Sequence, residues 1–396
     1  MNGLGFLTSR QARLMTIATI AGAVLSLAGL PFSTTHVWGN LLIAALFLVT
    51  LGLGGTLFVA FSYVTGAGWS VAFRRIPEAM AKTLVPSSVF LLAVLAAGAS
   101  RYSWEAHGAD PGTYWFKQEW LTPSFWLGRA VIYLAIWCLL AAGLVGYSRR
   151  QDRGEGFGPT LGNIRLSAIS LVLIGISFTL ASFDWLMALS PMWYSTVFAV
   201  YQFTGMIQAA LAAMIILGVV LRAPGRPLHG VFTAEHLHDL SKLLLGFSCF
   251  WLYLWFSQFM LIWYTNIPEE SSYFVPRMSG VWIGATGLSL FLNWILPFFV
   301  LLPRPAKRSG RVAVRVAVAV LVGRWLDLYW IVIPSLQGAG HGAHAETPWA
   351  LPVAGEFGTV LLVTGLFGLL VARAFSKADP VPRNDPLLAE SLHYHL

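Results

Sequence analysis

Ten apolar runs, each long enough to cross a bilayer, constrain this sequence more than any other feature. They cover about 14–31, 38–64, 81–99, 124–147, 166–189, 194–221, 238–264, 279–302, 312–335 and 355–374. A helical span needs roughly 20 such residues at 1.5 Å of rise each. With 57% hydrophobic and only 11% charged residues in 396, the chain reads as an all-α polytopic membrane protein of about ten helices. A set of water-soluble domains carries roughly a quarter charged residues and is excluded. The first run follows Arg10 and Arg13 as a signal peptide would. No polar stretch with a small-residue cleavage site separates it from the next span, so a retained helix is expected. No repeat of 20–50 residues is visible.

The formal net charge of +8 is explained by topology and not by nucleic-acid binding. Twenty Lys and Arg fall on the side of the termini, among them Arg74, Arg75, Arg222, Arg226 and Lys242. The opposite loops hold only Arg101, Lys117 and Arg277. The positive-inside rule therefore predicts both termini in the cytoplasm. The outer loops are acidic and aromatic, with Trp104, Trp115, Trp120, Trp193, Trp263, Tyr264, Glu269, Glu270 and Glu346. They read either as an interfacial aromatic belt or as a docking face for an extrinsic partner. Trp69-Ser-Val-Ala-Phe-Arg-Arg-Ile suggests a short interfacial helix on the cytoplasmic surface. The tail after Lys377, with Pro380, Pro382 and Pro386, reads as irregular.

Metal chemistry is bounded by the same letters. Cys138 and Cys249 lie inside apolar runs and read as core residues. An iron–sulfur cluster needs about four cysteines and a covalent haem needs C-x-x-C-H, and the chain has neither. The nine histidines sit in loops, at helix ends or in the tail, so paired axial haem ligands at mid-membrane depth are excluded. No metal ligand set is expected, and any redox chemistry must use an exchangeable cofactor or a partner's metal.

Charges inside spans are expensive and point to function by default. Arg129 and Asp184 each lie about five residues inside the outer ends of adjacent antiparallel spans, roughly 8 Å deep. They can form either a structural salt bridge or a binding site, with Trp185 beside them. Arg324 and Asp327 lie near the middle of the ninth span, three residues apart on one helix face. Neither can face lipid unpaired, so that face looks into the bundle or into water. Tyr201, Gln202, Gln208, Gln258 and Asn293 offer polar atoms at comparable or more outward depth. Taken singly these are interhelical hydrogen bonds, and taken together a proton or ion relay. At the inner start of the seventh span stands Glu235-His-Leu-His238-Asp239-Leu-Ser-Lys242. Its acids complement the helix dipole, and its histidines suit a proton antenna. The histidines are two residues apart and point to opposite sides, which argues against a metal site.

Four ordered motifs carry a family resemblance: Ser182-Phe-Asp-Trp-Leu-Met-Ala-Leu-Ser-Pro-Met-Trp-Tyr-Ser-Thr196, Tyr201-Gln-Phe-Thr-Gly205, His236-Leu-His-Asp-Leu-Ser-Lys-Leu-Leu244 and Ile262-Trp-Tyr-Thr-Asn-Ile-Pro-Glu-Glu270. Together they resemble the ActF family of integral subunits of bacterial alternative complex III, within the NrfD/PsrC-like superfamily. The resemblance implies a quinol:cytochrome c (or other periplasmic acceptor) oxidoreductase in the bacterial inner membrane. It implies two four-helix bundles, spans 2–5 and 6–9, with spans 1 and 10 peripheral. The chain then divides into a peripheral span at 1–37, bundles at 38–193 and 194–340, and a last span with its tail at 341–396. Implied partners are a related quinol-binding integral subunit, a periplasmic iron–sulfur protein, c-type haem subunits and membrane lipids. The implied cofactor is an exchangeable menaquinol or ubiquinol, with nothing bound covalently.

The superfamily binds quinol at the periplasmic end of the first bundle, using a span-5 aspartate and a histidine. Asp184 matches the aspartate by position, and no histidine lies in the neighbouring spans, where Arg129 is the ionisable group of span 4. The resemblance also implies a proton path in the second bundle, with His238, Asp239, Lys242, Gln208, Asn293, Arg324, Asp327, Tyr201 and Gln202 as candidates. Two rivals are direct quinol oxidation at Asp184, Arg129 and Trp185, and a stand-alone secondary transporter. Transporters use paired broken helices, and the in-span Pro86 and Pro297 form no matching pair. A third rival is a purely structural scaffold.

Overall fold

Lipid offers no hydrogen bonds to a backbone, so an apolar chain of this kind satisfies its amides within helices. The computed structural model describes residues 6–31, 33–99, 102, 119–154, 156–190, 193–338 and 353–395, and every regular element among them is helical. Arg101, Trp104, Trp115, Lys117 and Glu346 lie outside the described residues. The main helices are α1 (Ser9–Leu27), α2 (Thr34–Val64), α3 (Arg75–Ala81), α4 (Leu84–Gly98), α5 (Pro123–Asp152) and α6 (Gly158–Trp185). They continue with α7 (Val197–Leu221), α8 (Ala234–Thr265), α9 (Gly280–Leu290), α10 (Leu296–Leu301), α11 (Gly310–Gly338) and α12 (Val353–Phe375). Among the described residues, nine segments are long and apolar enough to cross a membrane; α3 with α4 makes one of them, and α9 with α10 another. This is a multi-pass membrane protein.

The first apolar run is less apolar than those nine once its whole helix is counted. The run 14–31 folds as α1, but α1 starts at Ser9, behind a Thr8–Gln11 capping box, and takes Arg10 and Arg13 into its first turns. It ends at Leu27, just before Gly29 and Pro31. Its 19 residues rise about 28 Å, and it runs antiparallel along α12 at glycine-permitted distance. A Cβ on Gly22 would sit 2.3 Å from the Leu362 amide nitrogen, and one on Gly358 would sit 2.5 Å from that of Ser26.

α2, α4, α5 and α6 pack in a ring, and α7, α8, the α9–α10 pair and α11 pack in a second. The two rings share a wall where α2 meets α7 and α11 and where α6 meets α7. α2 is the hub: 94% of its apolar window is inside the protein, against 22% for Gly280–Leu301. Gly54 lets α7 close in, since a Cβ there would lie 2.4 Å from that of Ala210.

One sequence expectation fails on the face that carries the termini, here termed the basic face. Trp69–Ile76 is helical, as a 3-10 turn (Gly68–Phe73) running into α3, yet it does not lie on the surface. Ser70 to Phe73 and Arg75 are buried. What covers them is the tail, which is irregular over 376–387 as its prolines suggest and then forms the short helix Leu388–Leu392. Asp385 pairs with Arg74, and the Ser391 hydroxyl donates to the Trp69 carbonyl at 2.7 Å while accepting from the Ala72 amide at 2.9 Å. Beneath it Arg75 binds Glu78 and Asp152, and Ser148 donates to Glu78 at 2.6 Å.

Candidate functional site

The first bundle brings Arg129 and Asp184 together, as their depths on α5 and α6 predict. The guanidinium grips the carboxylate with two bonds, Nε to Oδ2 at 2.9 Å and Nη2 to Oδ1 at 3.0 Å. Trp120 Nε1 donates to Oδ1 at 2.7 Å and the Tyr133 hydroxyl to Oδ2 at 3.1 Å. Arg129 also gives Nη1 to the Trp120 carbonyl at 2.7 Å and lies over the Trp120 ring, 4.0 Å from its centre. A carboxylate has about four lone-pair sites, and all four are taken. Trp185 points elsewhere, toward Trp137 and a cavity of about 20 Å³ between the bundles. That volume holds a single water. Gln202, Arg324 and Leu328 form the far wall of the same cavity.

The second bundle brings Tyr201, Gln202, Arg324 and Asp327 into one buried network. Asp327 accepts from the Tyr201 hydroxyl on one oxygen and from Arg324 Nη1 on the other. Arg324 gives Nη2 to the Gln202 carbonyl oxygen at 2.7 Å. All four residues are at most 2% exposed. The Tyr201-Gln-Phe-Thr-Gly205 motif thus reads as a cradle. Tyr201 holds the acid, Gln202 holds the base, and Gly205 leaves the space that the guanidinium fills. A Cβ on Gly205 would sit 2.7 Å from Arg324 Nη1. The polar set expected around Asp327 is only half assembled there, because Gln208 and Asn293 belong to a neighbouring network. Gln208 donates to Ser248 at 2.9 Å and to the Asn293 carbonyl at 2.7 Å, and Asn293 donates to the Ser289 carbonyl at 3.0 Å. Asn293 sits in a π-helical turn, Phe291–Ile295, four residues before Pro297. Proline has no N–H to return to that carbonyl, so Gln208 supplies one. The two networks adjoin across Gly323, where a Cβ would lie 2.9 Å from the Asn293 carboxamide. Four buried atoms between them have no protein partner: donors Gln202 Nε2 and Arg324 Nε, and acceptors Gln208 Oε1 and Asn293 Oδ1. Gln258 lies on α8 beyond both, with Nε2 also unpartnered.

At the basic face the start of α8 is built as the motif suggests, with one change of role. His236 is the third residue of a capping box, its Nδ1 accepting from the Thr233 amide at 3.0 Å, and its Nε2 meets the Ser391 carbonyl at 3.1 Å. It is a structural ring. His238 and Asp239 are the buried pair beside it, 7% and 6% exposed. Asp239 pairs with Lys242 and accepts from the Tyr394 hydroxyl at 2.6 Å. Glu235 pairs with Arg308. Lys307 gives its ammonium to the Leu301 and Leu302 carbonyls at 2.8 Å each, and burial with Lys242 nearby pushes its pKa below the ordinary lysine range. From Ser241 to Ser248 along α8 is seven residues, about 10 Å. The only fully buried residue between them is Leu244.

Sequence reasoning missed Arg277. Counted as an outer-loop charge, it is 2% exposed and donates to the carbonyls of Trp330 (3.1 Å), Ile331 (2.9 Å) and Tyr273 (2.6 Å) and to Ser335. Pro334, a third in-span proline, explains it. It withholds an N–H from the Trp330 carbonyl, and Arg277 replaces it. The signal was present, since a proline four residues after a buried aromatic needs an outside donor. Glu78 was legible too, three and four residues after Arg75 and Arg74. Comparison with known protein families finds no family model that matches this chain, and comparison with curated proteins finds no match.

Proposed function

We propose that this chain is an integral membrane subunit of a quinol:acceptor oxidoreductase of the alternative complex III type, carrying protons through its second bundle. The four motifs that resemble the ActF family support the assignment. The cradle around Arg324 and Asp327 carries the proton role. On this reading the protein sits in a bacterial inner membrane with the basic face cytoplasmic. Partner chains supply the iron–sulfur and haem centres, and a related integral subunit binds the menaquinol or ubiquinol.

On this reading the chain's own residues divide the work. His238 and Asp239 gather protons at the cytoplasmic face. A proton bound inward then has about 10 Å to cross from Ser241 to Ser248, past Leu244. Gln208 Oε1 and Asn293 Oδ1 accept hydrogen bonds from water, and Gln202 Nε2 and Arg324 Nε donate to it, which orients a bridging water between the networks. Asp327 carries the proton at mid-membrane depth, with Arg324 holding its charge and Tyr201 leading outward. Asp184 takes no part. Its lone pairs are all engaged, so a quinol hydroxyl has nothing to donate to, and the pair serves as a brace between α5 and α6.

Asp327→Asn in the assembled complex tests the reading. Proton uptake by vesicles should be lost while quinol oxidation in detergent persists. Unchanged proton stoichiometry would remove the proposal.

A further inference from the structure

We infer that the C-terminal segment is a built-in lid over the cytoplasmic inlet of the second bundle, with Tyr394 as its latch on Asp239. The inference rests on the proton reading for what the inlet does, and on the coordinates alone for the closure. The segment is anchored on the first bundle and reaches across to the second. At its near end Asp385 binds Arg74, the Asn384 carbonyl accepts from Gln151 Nε2 at 2.8 Å, and the Asn384 side chain donates to the Asp152 carbonyl at 3.1 Å. At its far end the short helix Leu388–Leu392 lies on the 3-10 turn Gly68–Phe73. There Ser391 is wholly buried, between the Trp69 carbonyl and the Ala72 amide. Tyr394 then stacks on His236, ring centres 5.9 Å apart, and donates to Asp239.

The two ends differ in kind. The anchor is a set of ion pairs and amide bonds within a buried charge cluster. The latch is one hydroxyl, a ring stack and three bonds to Ser391, from the Ala72 amide, to the Trp69 carbonyl and with His236 Nε2, on residues that follow the last proline of the tail, Pro386. Asp239 has two oxygens. Lys242 of its own helix takes one and Tyr394 takes the other, so the tail alone stands between the carboxylate and bulk water on that side. Glu235 is held differently, by Arg308 of the short helix Arg304–Arg308. The lid therefore controls Asp239 and leaves Glu235 as it is. No fixed plug is needed to keep α8 capped, because Thr233 and His236 do that within the helix itself.

The test uses the assembled complex in native membranes. A water-soluble carbodiimide with an amine labels exposed carboxylates, and mass spectrometry resolves Asp239 from Glu235. Three forms are compared: the full chain, Tyr394→Phe, and a chain ending after Leu387, which keeps the Asp385 anchor. Labelling of Asp239 should rise a few-fold in Tyr394→Phe and about tenfold or more in the shortened chain, the weight of a hydrogen bond to a charged group plus its cover. Glu235 labelling should hold constant in all three. Amide exchange of 68–74 should quicken only in the shortened chain. Equal Asp239 labelling in all three forms overturns the lid. Proton uptake by vesicles is read alongside. Labelling that rises while uptake stays fixed keeps the lid and removes the proton path through Asp239. Uptake that changes with labelling fixed removes the lid and leaves the path.

Discussion

Asp184 and Asp327 are both aspartates about 1% exposed, each facing an arginine, and they are built to opposite ends. Asp184 is gripped side-on by two guanidinium nitrogens and closed off by an indole and a phenol. Asp327 is held by one guanidinium nitrogen and one phenol, and donors without acceptors stand within its network. The first arrangement has no vacant lone pair and no way to exchange a proton without breaking a bond. The second keeps hydrogen-bonding capacity in reserve. A buried pair is weak evidence for stability or function until its remaining donors and acceptors are counted, and here the count separates a saturated acid from one with hydrogen-bonding groups to spare around it.

The sharpest way to break this comparison is Arg129→Leu. Removing one partner of a buried pair strands a charge, so thermal unfolding in detergent should show a loss of about 3–5 kcal/mol. Arg129→Lys should recover only part, since an ammonium cannot make the two-pronged grip. A loss below about 1 kcal/mol would mean that Asp184 is not fastened as described. The next test compares phenols. Tyr201→Phe leaves Asp327 with Arg324 alone and should cost about 1.5–3 kcal/mol, while Tyr133→Phe leaves Asp184 three donors and should cost about 0.5–1 kcal/mol. Equal costs erase the distinction between the two acids.

Gly205→Ala sharpens the picture from the other side. Forcing a methyl against Arg324 should cost about 1–3 kcal/mol and lower proton uptake. Gly175→Ala, on an open face of α6, should be neutral or stabilising by up to about 1 kcal/mol. The smallest effect concerns the tail. Bonding to Asp239 and partial burial push the Tyr394 phenol up to about 12 from an ordinary 10.0. A raised folded-state value favours the docked tail below pH 10, and that preference fades as pH climbs toward 12. The ultraviolet difference titration of full chain minus Tyr394→Phe should show one phenol ionising near the higher value. Ionisation at the ordinary value would mean that the latch is open.

Charges inside apolar runs were the most legible part of the site, because a lone Arg or Asp among leucines has few outlets. Depth along consecutive antiparallel spans then paired Arg129 with Asp184, and a spacing of three paired Arg324 with Asp327. The partners of those pairs were harder to read. Gly205 and Gly323 matter through what lies opposite them, and a single sequence does not say which helix faces which. The irregular path of the tail is legible from its prolines, while its docking place is not, because Arg74, Trp69 and Asp239 lie more than 150 residues away in sequence. α1 carries Arg10 and Arg13 in its first turns, which makes it less apolar over its length than the nine long apolar segments.

The close seam between α1 and α12 has a bearing on how the protein is made. α1 is made more than three hundred residues before the backbone it nestles against. It can settle only when α12 arrives, so the two helices close the fold together like the ends of a belt.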